Sequence, residues 1–290
     1  MNTPNMKIKN TAKRAFTLIE IMVATVIMVV LVGLVIQITS EVLKVWTRSS
    51  GKLAANAEAR IAMDMITQDL ETAVFRNNGQ QWLRVDAPLP GGGQYSGQTV
   101  GLKLFSPALD RPTGPGDICA IGYRLSYKQS YAGATTSVYA LYRKIVAPKD
   151  TFDNYMGSPS DASSPQVSLD GAGLWADALI TDDANYLVSN IVGFKILVYE
   201  LDPVTDQAVL INANASDGEL TLDYAYGGDS TSAGVSTNQL LYADIILTVV
   251  SDAGLEMLDV IDKIPEDADE VVALHGDTFT RRVNFMAHPL

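Results

Sequence analysis

The chain has 290 residues, of which 47% are hydrophobic, and a formal net charge of −12 at pH 7. So acidic a chain is not expected to bind nucleic acid, which normally requires a basic patch. The single cysteine, Cys119, excludes an intrachain disulfide and is expected to be a buried, small apolar residue.

The N-terminal part of the chain is a basic leader followed by an apolar segment. The last basic residues of the leader are Lys13 and Arg14, and the apolar segment occupies residues 16–38. A helix of about 23 residues is roughly 35 Å long, which is enough to span a bilayer. Glu20 is the only ionisable residue in this segment. A carboxylate within a membrane helix costs about 2.5–3.5 kcal/mol, so Glu20 is expected to have a function.

The charge distribution predicts the orientation of this segment. All four basic residues of the leader precede it, so the positive-inside rule places the N-terminus in the cytoplasm and the remainder of the chain on the other side. A cleavable secretory signal has a shorter apolar core, so this segment is expected to be retained. No second apolar run of this length occurs, which predicts a single-pass membrane protein.

The helical pattern continues beyond residue 38. Proline is absent between residues 16 and 76, which predicts one long helix whose second half, residues 39–76, is amphipathic. The apolar stripe that is expected to pack on a sheet consists of Leu53, Ala57, Ile61, Met65, Ile66, Leu70 and Val74. The polar residues that fall off this stripe are Arg60, Asp64, Gln68 and Glu71.

From residue 77 the pattern changes to short β runs and turn-rich loops. The predicted strands are residues 99–106, 118–128, 137–146, 191–201, 241–251 and 279–286. The predicted loops are 86–98, 148–178 and 205–239, and a short helix is predicted at 266–274 after Pro265. Since no long helices separate the strands, we predict an α+β head, residues 77–290, with the long helix packed on an antiparallel meander.

Few residues of the head suggest catalysis. The two histidines are His275 and His288, and no zinc-ligand spacing, nucleophile elbow or P-loop occurs in the sequence. The chain is therefore predicted not to be an enzyme and to need no cofactor. The remaining metal candidates are loop aspartates whose oxygen atoms suit calcium, namely Asp202, Asp206, Asp223 and Asp229. Solvated turn aspartates are the alternative, because none of them follows EF-hand spacing.

The sequence Lys-Arg-Ala-Phe-Thr-Leu-Ile-Glu at residues 13–20 resembles the class III signal sequence of type IV pilins and type II secretion pseudopilins. This resemblance implies that a prepilin peptidase cuts between Ala15 and Phe16, removing a leader of residues 1–15, and that the new amino terminus is N-methylated. The family prefers glycine where this chain has Ala15, so slower processing is expected. Glu20 would be fifth in the mature chain and would pair with the Phe16 amine of a neighbouring subunit.

The order of short motifs in the head narrows this resemblance. After the long helix come Gly-Tyr-Arg-Leu, Leu-Tyr-Arg-Lys, Ile-Val-Gly-Phe-Lys-Ile, Ile-Ile-Leu-Thr-Val-Val and Phe-Thr-Arg-Arg-Val. This order resembles the J-type minor pseudopilins of type II secretion, with the W-type minor pilins of type IV pili as close relatives in pattern. The resemblance implies a pilin-like fold and a structural subunit at the tip of a pseudopilus. It also implies an anchor in the inner membrane of a Gram-negative-type cell, with the head in the periplasm.

The same resemblance implies a set of partners. They are the prepilin peptidase, the other minor and major pseudopilins, the inner-membrane assembly platform, a secreted protein substrate and membrane lipid. The rival hypothesis from another class is a signal-anchored periplasmic enzyme or binding protein that keeps its leader.

Overall fold

The structure of the chain is a computed structural model that describes residues 17–75, 81–86, 101–110, 112–129, 137–156, 169, 173–213, 223–227, 235–236, 238–260 and 265–285. The chain divides into two compact units, Met1–Ser49 and Ser50–Leu290. The second unit, called the head below, contains the predicted head residues 77–290 together with the end of the long helix.

Helix α1 extends from Leu18 to Glu71. It ends there rather than near residue 76 as predicted. The last turn tightens, since the Ala73 N–H donates to the Leu70 carbonyl at 3.2 Å, three residues back. The next N–H, that of Val74, donates to the Phe105 carbonyl at 2.8 Å. The backbone therefore leaves the helix by joining a strand of the head.

The head consists of strands and short helices. The strands are β1 (Leu83–Asp86), β2 (Gly101–Ser106), β3 (Cys119–Gln129), β4 (Ser137–Ile145), β5 (Tyr186–Ser189), β6 (Ile191–Leu201), β7 (Ala208–Leu210), β8 (Tyr224–Tyr226), β9 (Val235–Ser236), β10 (Leu240–Val250) and β11 (Gly276–Asn284). The helices are α2 (Pro148–Thr151), α3 (Asp177–Ile180), α4 (Asp252–Val260) and α5 (Pro265–His275).

Within the described residues the strands form two sheets. The first has the order β5-β4-β3-β2-β1-β8-β9 and is antiparallel except for the parallel pair β8–β9. The second has the order β11-β10-β6-β7 and is antiparallel throughout. The predicted α+β class with a long helix and an antiparallel head is confirmed. The single meander is wrong, because β6, β10 and β11 form a sheet of their own.

Each predicted strand is present, and the predicted bounds 191–201 agree with those of β6. The predicted helix near 266–274 is present as α5. Two predicted loops contain regular structure, since 148–178 includes α2 and 205–239 includes β7, β8 and β9. These strands have only two or three residues, too few for an alternating pattern to be visible. The sequence does not predict β1, β5 or α4, and most of the predicted loop 86–98 lies outside the described residues.

The buried face of α1 in the head differs from the predicted stripe. Leu53 and Ile61 are 68% and 55% exposed, and Ala57 is exposed as well. The residues that are buried instead are Ala55, Ala59, Ala62, Met63, Ile66, Thr67, Asp69 and Leu70. Three of these eight residues are alanines, so the buried face combines small residues with large apolar ones. The prediction is right for Ile66 and Leu70, and for the exposed set Arg60, Asp64, Gln68 and Glu71.

A buried charged cluster joins α1 to the first sheet. The side chains of Asp69 in α1 and Arg143 in β4 are 5% and 6% exposed. Arg143 donates from Nε and Nη2 to the Asp69 carboxylate at 2.8 and 3.1 Å. Tyr123 of β3 donates its hydroxyl to the same carboxylate at 2.5 Å. On the outer side Arg143 also donates to the half-exposed carboxylate of Asp110 at 2.6 and 3.1 Å.

The contacts of this cluster shift the ionisation of its members. Burial by itself would lower the pKa of Arg143, because it disfavours the charged guanidinium. The hydrogen bonds to Asp69 and Asp110 outweigh this effect, so the Arg143 pKa is raised. Burial, followed by the charge of Asp69, raises the pKa of Tyr123 well above its usual value. Partial burial by itself would raise the pKa of Asp110. The hydrogen bond to Arg143 and the charge of Arg143 outweigh this effect, so the pKa of that carboxyl is lowered. The cluster therefore remains a charged, hydrogen-bonded link between α1, β3 and β4.

Trp175 covers one face of the first sheet. A Cβ atom on Gly122 of β3 would lie 2.4 Å from the Trp175 ring, so the indole rests directly on the strand backbone. Trp175 Nε1 donates to the Leu169 carbonyl at 2.6 Å, and the ring stacks on Tyr155 with centroids 5.9 Å apart. The missing side chain at Gly122 makes this arrangement possible.

Candidate functional site

The described part of the chain begins just after the predicted processing site. The residues assigned to processing, Lys13, Arg14, Ala15 and Phe16, lie outside the described residues. The cut between Ala15 and Phe16 therefore stays a prediction. Glu20 is the predicted assembly residue whose surroundings are described.

Glu20 caps the start of α1. Its carboxylate accepts hydrogen bonds from the backbone N–H of Thr17 at 2.9 Å and from the Thr17 hydroxyl at 3.1 Å. In return the Glu20 N–H donates to Thr17 Oγ1 at 3.3 Å. This reciprocal pair is a capping box, in which Thr at the N-cap and Glu three residues later satisfy each other's N–H groups. The Thr-x-x-Glu spacing signals it, although the sequence-based prediction for Glu20 did not include this capping role.

The Glu20 carboxylate has room for a second partner. Both bonds from Thr17 go to Oε2, and Oε1 has no hydrogen-bond partner within the described residues. An ionised carboxylate can accept about four hydrogen bonds, so capping and a further ion pair are compatible. The capping bonds also hold the carboxylate in one place at the helix terminus.

The first unit exposes a long apolar helical surface. Every described residue of this unit is exposed, and the large apolar side chains from Leu18 to Trp46 are 48% to 77% exposed. By length and composition α1 qualifies as a helix that can cross a membrane. So much apolar surface is unfavourable in water at about 25 cal/mol per Å². The segment is therefore suited to a bilayer or to contacts with other helices.

The calcium candidate Asp202 is engaged in its own turn. Its carboxylate accepts from the Val204 N–H at 2.9 Å and from the Thr205 hydroxyl at 2.7 Å. These bonds, that of Val204 first, lower the pKa of Asp202. Asp206 closes the same turn, since its N–H donates to the Asp202 carbonyl at 2.9 Å.

The other two calcium candidates do not join this turn in the described structure. Asp223 forms an ion pair with Arg84 at 3.0 Å, and Asp229 lies outside the described residues. Across the described residues, no group of three or more His, Cys, Asp or Glu side chains is arranged to hold a metal ion.

Comparisons with known proteins identify the N-terminal segment. Residues 10–36 match the family described as the prokaryotic N-terminal methylation motif. A type IV-like pilin from Thermus thermophilus is similar at 10% identity over 79% of this chain and 95% of that chain, with a TM-score of 0.35, a superposition too loose to argue from. No curated protein matches the chain. The chain thus carries the prokaryotic N-terminal methylation motif, and the described part of that motif lies at the start of a long apolar helix.

Proposed function

We propose that this chain is a J-type minor pseudopilin, a structural and non-enzymatic subunit at the tip of a type II secretion pseudopilus. One observation carries the proposal: the methylation motif at residues 10–36 extends into helix α1, whose apolar side chains are exposed throughout the described part of the first unit. Such a motif belongs to chains that are cut, methylated and assembled through this helix. An exposed apolar helix needs a bilayer before assembly and neighbouring helices after it.

The two states of the subunit differ in what covers this helix. In the free subunit residues 16–38 lie in the bilayer, and in the filament they pack against the helices of neighbours. Lipid tails are about as apolar as leucine, so the exchange of lipid for protein gains little by itself. Extraction is therefore expected to require the ATP-driven inner-membrane assembly platform.

Glu20 would set the register of each new subunit. Cleavage between Ala15 and Phe16 leaves an ammonium group that must be paired when it is buried. Thr17 holds the Glu20 carboxylate through Oε2 and leaves Oε1 for that amine on a neighbour. At low effective dielectric such a pair is far stronger than in water.

The leader charges favour a cytoplasmic N-terminus and a periplasmic head. The proposed partners are the prepilin peptidase, the other minor and major pseudopilins, the assembly platform and a secreted protein. A W-type minor pilin would use the same N-terminal chemistry in a type IV pilus. Loss of secretion rather than loss of pili in a deletion strain would support the secretion role.

The processing step is tested by intact-mass measurement of the chain from native membranes. We expect a mature chain that begins at N-methylated Phe16. A chain that keeps residues 1–15 would contradict the proposal and favour a signal-anchored periplasmic protein.

The assembly step is tested with Glu20→Ala. We expect this variant to be cleaved normally but to be absent from sheared filaments. Glu41→Ala is the matched control, because Glu41 is an exposed acid on the same helix that pairs with Lys44 at 3.3 Å. Normal incorporation of Glu20→Ala would refute the pairing role of Glu20.

A further inference from the structure

The two sheets end in four described edge strands, and three of them are short. β5 has four residues, β7 has three and β9 has two. The exception is β11, which has nine residues and pairs with β10 in a regular register. Short edges are one device by which proteins avoid pairing with other chains. The open side of β11 lacks this protection.

The ladder between β10 and β11 shows which backbone groups point outward. The Phe285 N–H donates to the Leu241 carbonyl, and the Ser251 N–H donates to the His275 carbonyl. Hydrogen-bonded positions alternate in an antiparallel pair, so the odd-numbered residues of β11 bond to β10. The outward residues, which are exposed and have no backbone partner within the described part of the chain, are Thr278, Thr280, Arg282 and Asn284.

A groove lies beside this edge, between β11 and α1. Its lining residues are Arg60, Met63 and Asp64 of α1 and Phe279, Thr280 and Arg281 of β11. Met63 is buried and Phe279 packs partly against the core, so both supply apolar surface. An added strand would send every second side chain toward this groove, because side chains alternate between the two faces of a sheet.

The charges around the groove favour an acidic partner. Asp64 and Arg281 pair with each other at 2.5 Å. Arg60 is exposed and has no ion pair within the described residues. An unpaired arginine at the rim of a groove attracts a carboxylate and opposes a cation.

We propose that the open edge of β11 binds an extended segment of another protein by strand addition, with an acidic side chain of that segment pairing with Arg60. Main-chain hydrogen bonds supply affinity in this mode, and alternate side chains supply specificity. A second copy of this chain fits less well as the partner, because the acidic residue of β11 is Asp277, which already binds Asn56 at 2.8 Å and pairs with Lys52 at 3.9 Å. The inference rests on the head and does not depend on the proposed function.

The test uses the full-length chain in detergent micelles and a synthetic probe. The probe is a capped nine-residue peptide that alternates threonine and valine, with glutamate in place of one valine. Hydrogen exchange of the β11 amides is measured with and without saturating peptide. We expect the outward amides of Thr278, Thr280 and Arg282 to exchange at least about tenfold more slowly with peptide. A peptide with lysine in place of the glutamate is expected to bind more weakly.

Two variants locate the binding site. Thr280→Pro removes an outward N–H that the ladder to β10 does not use, so it should abolish binding, whereas Thr280→Val keeps that N–H and should bind normally. Arg60→Ala should raise the peptide Kd about two- to fivefold, as expected for an exposed ion pair. The proposal is overturned by an unprotected wild-type edge, by equal binding to Thr280→Pro and Thr280→Val, or by self-association through β11 without peptide.

Discussion

Replacement of Asp69 by asparagine is expected to destabilise the head far more than the same change at an exposed site. The variant leaves Arg143, whose side chain is 6% exposed, without its buried carboxylate partner. Loss of one member of a buried ion pair typically costs about 3–5 kcal/mol, because the other charge stays buried and uncompensated. Asp110 still binds the guanidinium from the half-exposed side. We therefore expect a loss near the lower end, about 3 kcal/mol.

Two companion variants separate the contributions to this loss. Tyr123→Phe removes one hydrogen bond to Asp69 and is expected to cost about 1–2 kcal/mol. The double variant Asp69→Leu with Arg143→Met leaves neither charge of the pair behind. The double variant is expected to lose much less stability than Asp69→Leu and Arg143→Met do when their separate losses are added. The reason is that a buried pair can often be replaced by apolar residues without large loss.

The measurement is urea unfolding of the full-length chain in detergent micelles, followed by tryptophan fluorescence. A shift of the midpoint at constant slope reports the change in the free energy of unfolding. Asp64→Asn is the matched control on the same helix, because the Asp64 side chain is 69% exposed and its pair with Arg281 should contribute less than about 1 kcal/mol. If Asp69→Asn shifts the midpoint no more than Asp64→Asn does, the buried pair does not hold α1 to the sheet.

Two further predictions concern Trp175 and Asp110. Gly122→Ala places a methyl group 2.4 Å from the Trp175 ring, so we expect a red-shifted emission and a loss of about 1–3 kcal/mol. Gly114→Ala, where an added Cβ meets nothing within 4 Å, should change neither quantity, and an unshifted Gly122→Ala spectrum would contradict the packing. Because Arg143 lowers the folded-state pKa of Asp110, that carboxyl stabilises the fold above its unfolded pKa of about 3.9, and this contribution is lost as the pH falls through the lower folded value. Below about pH 4 the wild type should therefore lose more stability than Asp110→Asn, and parallel pH profiles of the two proteins would refute the assignment.

Long alternating strands could be predicted from the sequence, whereas their sheet partners could not. In β3 the alternation of Tyr123 and Leu125 with Arg124 matches the buried and half-buried positions of the strand. The pairing of β6 with β10 joins segments that are far apart in sequence, and no local pattern records it. The prediction of one meander failed for that reason.

The helix face was predicted wrongly because the prediction followed the most strongly apolar residues. Leu53 and Ile61 are strongly apolar yet exposed, while Ala55 and Ala59 are buried. Alanine is only weakly hydrophobic, so the spacing of the alanines contributed little to the prediction of the buried face. A usable signal for the buried cluster was also present, since Asp69 falls within the apolar pattern of the helix.

The inequality of the four sheet edges limits how many strands the head can accept. β5, β7 and β9 offer two to four residues each, whereas β11 offers nine. A module with long open edges on both sides can pass pairing from one neighbour to the next and grow without limit, as amyloid does. Among the described strands this head has one long open edge, so it offers one site for strand addition. Heads of this kind cannot form a continuous sheet through their own edges alone, because each lacks a second long edge to pass the pairing on.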